Sequence, residues 1–186
     1  LANLRVTISR FFRDRFLWKY LADTIFPLLL QKQKRLRIWS AGCSCGEELY
    51  SISLLLRTGF PHFKNYMLLG TDAEAASLRR AGEGRFPESS LRELSEEMRR
   101  CCFQKDPNSD EYLILPEFRE NLQLQQQNFV ETLPENRFEM ILLRNNLLTY
   151  HDPGQRQVLL LKILSVLEPG GYLIVGSHEK VPEDIS

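Results

Sequence analysis

The chemistry legible in this sequence sits in three small clusters of side chains. The first is an acidic pair, Glu47-Glu48, directly behind a turn of small residues, Ser40-Ala41-Gly42-Cys43-Ser44-Cys45-Gly46. The second is Asp72, which ends an apolar run that begins at Tyr66. The third is Arg144-Asn145-Asn146, which follows the strongly apolar run FEMILL. Glycines between a strand and a helix let the backbone approach a ligand closely, and the helix N-terminus then points at it. Carboxylates on the first helical turn stabilise the helix against its dipole. They also discourage a pyrophosphate, and the turn lacks the GxGxxG spacing of a dinucleotide site. A ligand that carries positive charge suits them better.

The elements that must position these groups alternate. Leu36, Ile38 and Trp39 read as a buried strand, and Tyr50, Ile52, Leu54, Leu55 and Leu56 suit one face of the helix that follows the turn. Residues 66–70 predict a second strand that ends in Thr71-Asp72. An acid at that place binds ribose hydroxyls in a dinucleotide fold, because a carboxylate accepts both O–H groups of a diol. The competing reading makes Asp72 the N-cap of a helix over 73–81. Residues 138–143 predict a buried strand whose carboxyl end carries the third cluster, where open α/β sheets place their ligands. An amphipathic helix follows over 155–167, stopped by Glu168-Pro169-Gly170-Gly171 before a strand over 172–175.

Upstream, residues 4–13 form an extended lead-in in which Phe11 and Phe12 read as core anchors and Arg13 as a surface or cleft residue. Residues 14–30 carry a helical pattern that Pro27 divides. Residues 111–115 and 122–127 predict two short strands about a turn, a short β-hairpin insertion within 106–128. The whole is an α/β domain over 1–186 with a helical lead-in over 1–34. Its sheet is mostly parallel, with helices on both faces and right-handed crossovers.

Composition narrows the function classes. The chain has 186 residues, 43% hydrophobic and 26% charged, with 24 basic residues against 24 acidic ones. A zero net charge argues against nucleic-acid and anionic-membrane binding, which draw on a basic surplus. The basic run Lys32, Lys34, Arg35 and Arg37 reads as a solvated linker. No apolar stretch reaches the ~20 residues of a membrane span, and no signal-peptide pattern is present. Leu1 in place of Met is the start expected of a trimmed chain. The four cysteines lack CxxC spacing, and His62, His151 and His178 are scattered, so neither a disulfide framework nor a zinc site is expected. A reducing cytoplasm suits them. S-adenosylmethionine (SAM), with its sulfonium and ammonium groups, is the cationic nucleotide-like ligand that the acidic pair and Asp72 suit together.

Taken in order, ISRFFRD, WSAGCSCGEELYSI, GTDAE, QNF, RNNLLTYHD and LEPGGYLIVGSHE resemble the motifs of the chemotaxis-receptor (CheR-type) methyltransferases, and the resemblance covers nearly the whole chain. It implies a class I SAM-methyltransferase (Rossmann-like) fold, SAM as cofactor and S-adenosylhomocysteine as product. It implies that Thr7, Ser9 and Arg13 contact the cofactor or active site, and that Ala41, Gly42 and Glu47 line the SAM pocket. Asp72 matches the ribose acid, Asn128 and Phe129 the pair beside adenine, and Arg144 and Asn145 the pair ending the fourth strand. Tyr150 matches the active-site tyrosine when one extra residue is allowed after Asn145. The implied reaction is methyl transfer to a glutamate carboxylate of an acidic, chemoreceptor-like signalling protein in the cytoplasm, with Arg13 and Tyr150 as catalytic residues.

The sequence also departs from the family. The N-terminal helical domain has no counterpart, the segment 106–128 is short for a receptor-gripping β-subdomain, and GSHEKVPE replaces the usual form of that motif. Two other readings therefore stay open: a SAM-binding sensor or partner module without catalysis, and a class I methyltransferase acting on a small molecule.

Overall fold

A strand that is apolar on both faces must be covered on both, and strand β1 (Leu36–Ala41) is buried at every position but Arg37. The structure, a computed structural model, describes residues 9–144 and 153–176, and its strands are numbered in chain order. β1 lies between β2 (Tyr66–Asp72) and β7 (Phe138–Leu143), parallel to both. Beyond them lie β6 (Leu122–Gln126) and β8 (Leu167–Val175), giving a five-stranded parallel sheet ordered β6-β2-β1-β7-β8. The chain runs outward from β1 to β6 and then returns to β7 on the other side. That reversal opens a crevice at the carboxyl ends of β1 and β7.

The period of two is visible in the cores. Leu36, Ile38, Met140 and Leu142 join one hydrophobic cluster with Phe11, Trp18, Phe26 and Leu49. Trp39, Ala41, Ile141 and Leu143 face the other way, onto Phe129, Leu159, Leu160 and Ile163. Helix α3 (Glu47–Gly59) follows β1 and α4 (Ala75–Glu83) follows β2; α6 (Pro153–Leu164) connects β7 to β8. The α/β, mostly parallel, Rossmann-like architecture expected from the sequence is the one observed.

Three expectations change in detail. The lead-in helix does not break at Pro27: α1 (Arg15–Tyr20) passes through a π-helical turn, Leu21–Ile25, into α2 (Phe26–Lys32). A proline clashes with the carbonyl four residues earlier, and the wider turn just before it relieves that clash. The predicted hairpin within 106–128 does not form. Its first strand, β5 (Glu111–Ile114), instead lies between β3 (Arg85–Pro87) and β4 (Phe103–Lys105) in a small antiparallel sheet. Its second strand is β6, whose alternating Leu122 and Leu124 pack on the main core and cover the edge of β2. Helix α5 (Glu96–Cys102), capped by the Ser95 hydroxyl, leads into β4. Arg37, read as part of a solvated linker, sits in β1 and pairs with buried Glu139 and with Glu168, each at 2.8 Å.

Among the described residues no helix is long and apolar enough to cross a membrane, and no cluster of His, Cys, Asp and Glu could hold a metal ion.

Candidate functional site

A cavity of about 540 Å³ opens at the crevice, within the range of small-molecule and cofactor sites. The glycine turn forms its floor. Gly42, Ser44 and Gly46 have φ of 77°, 50° and 92°, so the chain alternates into the left-handed region, where only glycine goes without strain. At Gly46 a Cβ would also lie 3.0 Å from the Ala81 Cβ, which ties the start of α3 closely to α4. Four amide donors of the turn are already used. Gly42 and Cys43 donate to the Thr71 carbonyl at 2.8 and 2.9 Å, Ser44 to the Asp72 carboxylate at 2.8 Å and Gly46 to the Cys43 carbonyl at 2.9 Å. A pyrophosphate cradle needs such donors free, so the turn is shaped for another ligand.

Asp72 stands half-buried at the end of β2 and joins the two walls of the floor. One carboxylate oxygen accepts the Ser44 N–H and the other accepts the Glu74 N–H at 2.9 Å. It does not cap α4, which begins at Ala75 with Glu74 in the cap position and no side-chain cap. Each oxygen keeps a lone pair for a further donor, the arrangement a vicinal diol can use.

The back wall is ionic. Arg144, at the end of β7, is buried and donates from Nη1 to Glu48 Oε2 at 3.0 Å and from Nη2 to the Asp14 carboxylate. Glu48 also accepts the Ser40 hydroxyl at 2.8 Å. Its charge is therefore largely offset within the protein, and the acidic pair is less of a cation attractor than its position implies. The lead-in, the first turn of α3 and β7 are thereby tied to one guanidinium.

The lead-in is pinned by its phenylalanines. Phe11 is fully buried, edge-on to Phe86 and Phe103 at 4.8 and 5.2 Å, and Phe12 lies edge-on to Trp18 at 5.3 Å. The Phe12 N–H donates to the Ser51 hydroxyl at 2.9 Å, and the Trp18 indole N–H donates to the Arg13 carbonyl at 2.7 Å. Phe12 and Asp14 both have positive φ, 48° and 68°, conformations that cost non-glycine residues energy and persist only where packing enforces them. Between them Arg13 projects to the cavity, exposed and without an acidic partner among the described residues. Arg10 lines the same cavity and is likewise unpaired.

Of the residues singled out in the sequence, Ser9, Arg13, Gly42, Asp72, Asn128, Phe129 and Arg144 line this one cavity. Asn128 spends its amide on its own loop, donating to Glu131 at 2.9 Å and accepting from the Val130 N–H at 3.1 Å. Ala41 and Glu47 are buried and do not line the cavity. Glu47 turns toward Ser90, whose hydroxyl donates to it at 3.1 Å, and its other oxygen has no partner among the described residues. Successive helical residues point about 100° apart, so only one member of the acidic pair can face the strand ends. Thr7, Asn145 and Tyr150 lie outside the described residues.

The lining also takes Glu48 from the acidic pair and Ser44 from the turn, together with Arg10, Glu74 and Gln127, to which the sequence reading gave no role. Arg10 had a signal: it brackets the Phe11-Phe12 anchor on one side as Arg13 does on the other. Cys43 also lines the cavity, but burial, with the nearby Asp72 and Glu48 charges, pushes its thiol well above the ordinary range. It stays protonated and does not serve as a nucleophile.

The family model for "CheR methyltransferase, SAM binding domain" matches residues 7–186. A "Chemotaxis protein methyltransferase" of Listeria innocua is 34% identical over 179 residues, which span 96% of this chain and 67% of that protein. Its counterpart in Listeria monocytogenes is 33% identical over the same shares. The chain thus spans about two thirds of the length of these relatives. Among solved structures, SAM-bound CalS10, an amino pentose methyltransferase from Micromonospora echinaspora, superposes with a TM-score of 0.50 at 15% identity, covering 85% of this chain and 50% of that one. At that identity the likeness concerns the fold alone.

Proposed function

This chain belongs to the CheR methyltransferase family and is a SAM-dependent methyltransferase, and from that premise we propose that it methylates a glutamate carboxylate on an acidic, chemoreceptor-like signalling protein. The residues present fit SAM. Asp72 offers free lone pairs to a ribose diol, Phe129 and Val130 supply an apolar wall for a purine, and the turn offers no competing phosphate cradle. Ser9, Gly42, Asn128 and Arg144 complete the cofactor wall, with Thr7 and Asn145 assigned supporting parts by their family motifs.

SAM, when bound, supplies an electrophilic methyl group on a sulfonium. The protein's task is then placement. A glutamate side chain, with an ordinary pKa of about 4.3, is already ionised at neutral pH and needs no general base. One carboxylate oxygen would take the methyl as the carbon–sulfur bond breaks, leaving S-adenosylhomocysteine and moving no proton. Arg13 holds the other oxygen by a charge-assisted hydrogen bond, leaving the attacking oxygen unblunted and in line. Tyr150 is assigned to close over the transferred group.

The observation that carries this reading is the Arg13 guanidinium in the cavity that Asp72 floors, without an acidic partner among the described residues. Arg144 in the same lining has two carboxylates of its own, whereas Arg13 is left for a ligand. The free state of all four cysteines supports a reducing compartment, the cytoplasm.

The test uses methyl-labelled SAM with the cytoplasmic portion of a chemoreceptor as acceptor. A carboxyl methyl ester releases its label as methanol in mild base. Label that stays on the protein after base treatment would overturn the ester assignment, and label transferred to a metabolite panel but to no protein would favour a small-molecule acceptor.

A further inference from the structure

Outside the cavity, the end of α5 brings two thiols together. Cys101 and Cys102 are the last two residues of the helix, and their sulfurs are 3.2 Å apart. Cys101 is exposed and Cys102 is buried. Both are free thiols.

We propose that Cys101 and Cys102 form a two-electron redox site, which a hydroperoxide converts to a vicinal disulfide that loosens the hold of the adjoining Phe103 on the lead-in. The exposed Cys101 sulfur attacks the O–O bond, taking one oxygen as a sulfenic acid while water or an alcohol leaves. The Cys102 sulfur then attacks the Cys101 sulfur. The S–S bond forms, the S–O bond breaks, and a second water leaves with the Cys102 proton. Two thiols lose two electrons and two protons, and the hydroperoxide is reduced. Burial holds the Cys102 thiol above its ordinary range, so the first attack falls to the exposed Cys101, and Cys102, already 3.2 Å away, resolves by proximity.

Adjacent Cα atoms are about 3.8 Å apart, below the separation at which a disulfide is relaxed. The bond can close only if the peptide between the cysteines leaves the helical conformation. Because the pair ends α5, that change unwinds a terminus and leaves the helix interior intact. A strained disulfide is also readily reduced, so the site is reversible.

The unwinding has somewhere to go. The Cys102 carbonyl accepts the Leu115 N–H at 2.9 Å, and the Phe103 N–H closes the helix onto the Arg99 carbonyl. The Phe103 ring stands against Phe11, whose own N–H donates to the Ser90 carbonyl at 3.0 Å. Phe11 is the anchor that sets Arg10 and Arg13 at the cavity. Opening the end of α5 therefore shifts a ring on which the lead-in rests.

The experiment treats the whole chain with hydrogen peroxide, alkylates the remaining thiols and digests with trypsin. Cleavage after Arg100 and Lys105 places both cysteines on one peptide, residues 101–105. The expected result is that this peptide is lighter by two hydrogens and unalkylated, and that dithiothreitol restores two alkylatable thiols. In Cys102→Ala, Cys101 is expected to be trapped as a dimedone adduct. Oxygen added to Cys101 while Cys102 remains alkylatable, or cross-linking of either thiol to another chain, overturns the site. Calorimetry with S-adenosylhomocysteine reads the second part: affinity is expected to fall several-fold on oxidation and to recover on reduction. Unchanged affinity of the oxidised chain overturns the link to the lead-in, and Cys101→Ser, which cannot form the bond, is expected to hold its affinity in peroxide.

Discussion

Arg144, just past the end of β7, and Glu48, on the first turn of helix α3, meet at 3.0 Å at the back of the cavity, with the arginine side chain only 4% exposed. The same guanidinium holds Asp14 of the lead-in. Removing it leaves two carboxylates facing each other without a counter-charge. Arg144→Met is expected to cost about 3 kcal/mol of stability, toward the lower end for a buried pair because Asp14 is partly solvated. In a denaturation cycle with Glu48→Gln, the coupling between the two sites should be about 1–2 kcal/mol. Additive single changes would mean that solvent already screens the pair.

Asp72 does two jobs, and they separate experimentally. It braces the turn through the Ser44 N–H, and its remaining lone pairs face the cavity. Asp72→Ala is expected to weaken S-adenosylhomocysteine binding by about 1–3 kcal/mol. A 2′-deoxy analogue should bind the parent protein more weakly than the ribose compound, and the two should bind the variant alike. An undiminished preference for ribose in the variant would reduce Asp72 to a brace.

Gly70 lies in β2 beneath α3, where a Cβ would come within 2.7 Å of Leu49 Cδ2 and 3.0 Å of Cys43 Sγ. Leu49 is fully buried and cannot swing away. Gly70→Ala is therefore expected to cost about 1–3 kcal/mol by overpacking, read as a lower urea midpoint with an unchanged slope.

Asp106 gives the small sheet an acid limit. The Asn108 N–H, then the Arg85 guanidinium, hold its carboxyl below the ordinary 3.8. A depressed folded-state value means that ionisation favours folding. The contribution is complete above about pH 3.8 and is lost as the pH falls through the lower folded value. Asp106→Asn should melt below the parent at neutral pH, and the gap should close on acidification below that point. A gap that stays constant would exclude the charge as its source.

What the sequence disclosed and what it withheld follow the range of the interactions. The unit from Leu36 through the glycine turn to Leu56 was legible because its signals are local: two periods and glycines between them. So was the convergence of Asp72 and Arg144, because both end apolar strands and parallel strands bring their carboxyl ends together. The choice between Glu47 and Glu48 was not legible, since it depends on the rotation of α3 against the sheet. The pairing of Arg144 with Asp14 was hidden for the same reason, lying 130 residues apart. The hairpin expectation failed because alternation marks a strand but not its partner, and both β5 and β6 found partners elsewhere.

Arg13 offers the sharpest division between binding and chemistry. Its side chain is exposed and has no acidic partner among the described residues. The contacts that hold the segment run through the Arg13 carbonyl and its phenylalanine neighbours. Arg13→Ala should therefore change stability by no more than about 0.5 kcal/mol and leave S-adenosylhomocysteine affinity close to the parent's. Turnover on the carboxylate acceptor at saturating SAM should fall by about 10²-fold, the scale of losing alignment at a reacting centre. Arg13→Lys should recover part of that loss, because a point charge remains while the planar fork does not. The opposite pattern, weakened cofactor binding with turnover preserved at saturation, would move Arg13 from the substrate to the carboxylate of SAM. Among the described residues Arg10 would then be the guanidinium left without an acidic partner in the cavity for the acceptor, and Arg10→Ala would be the variant that slows methyl transfer.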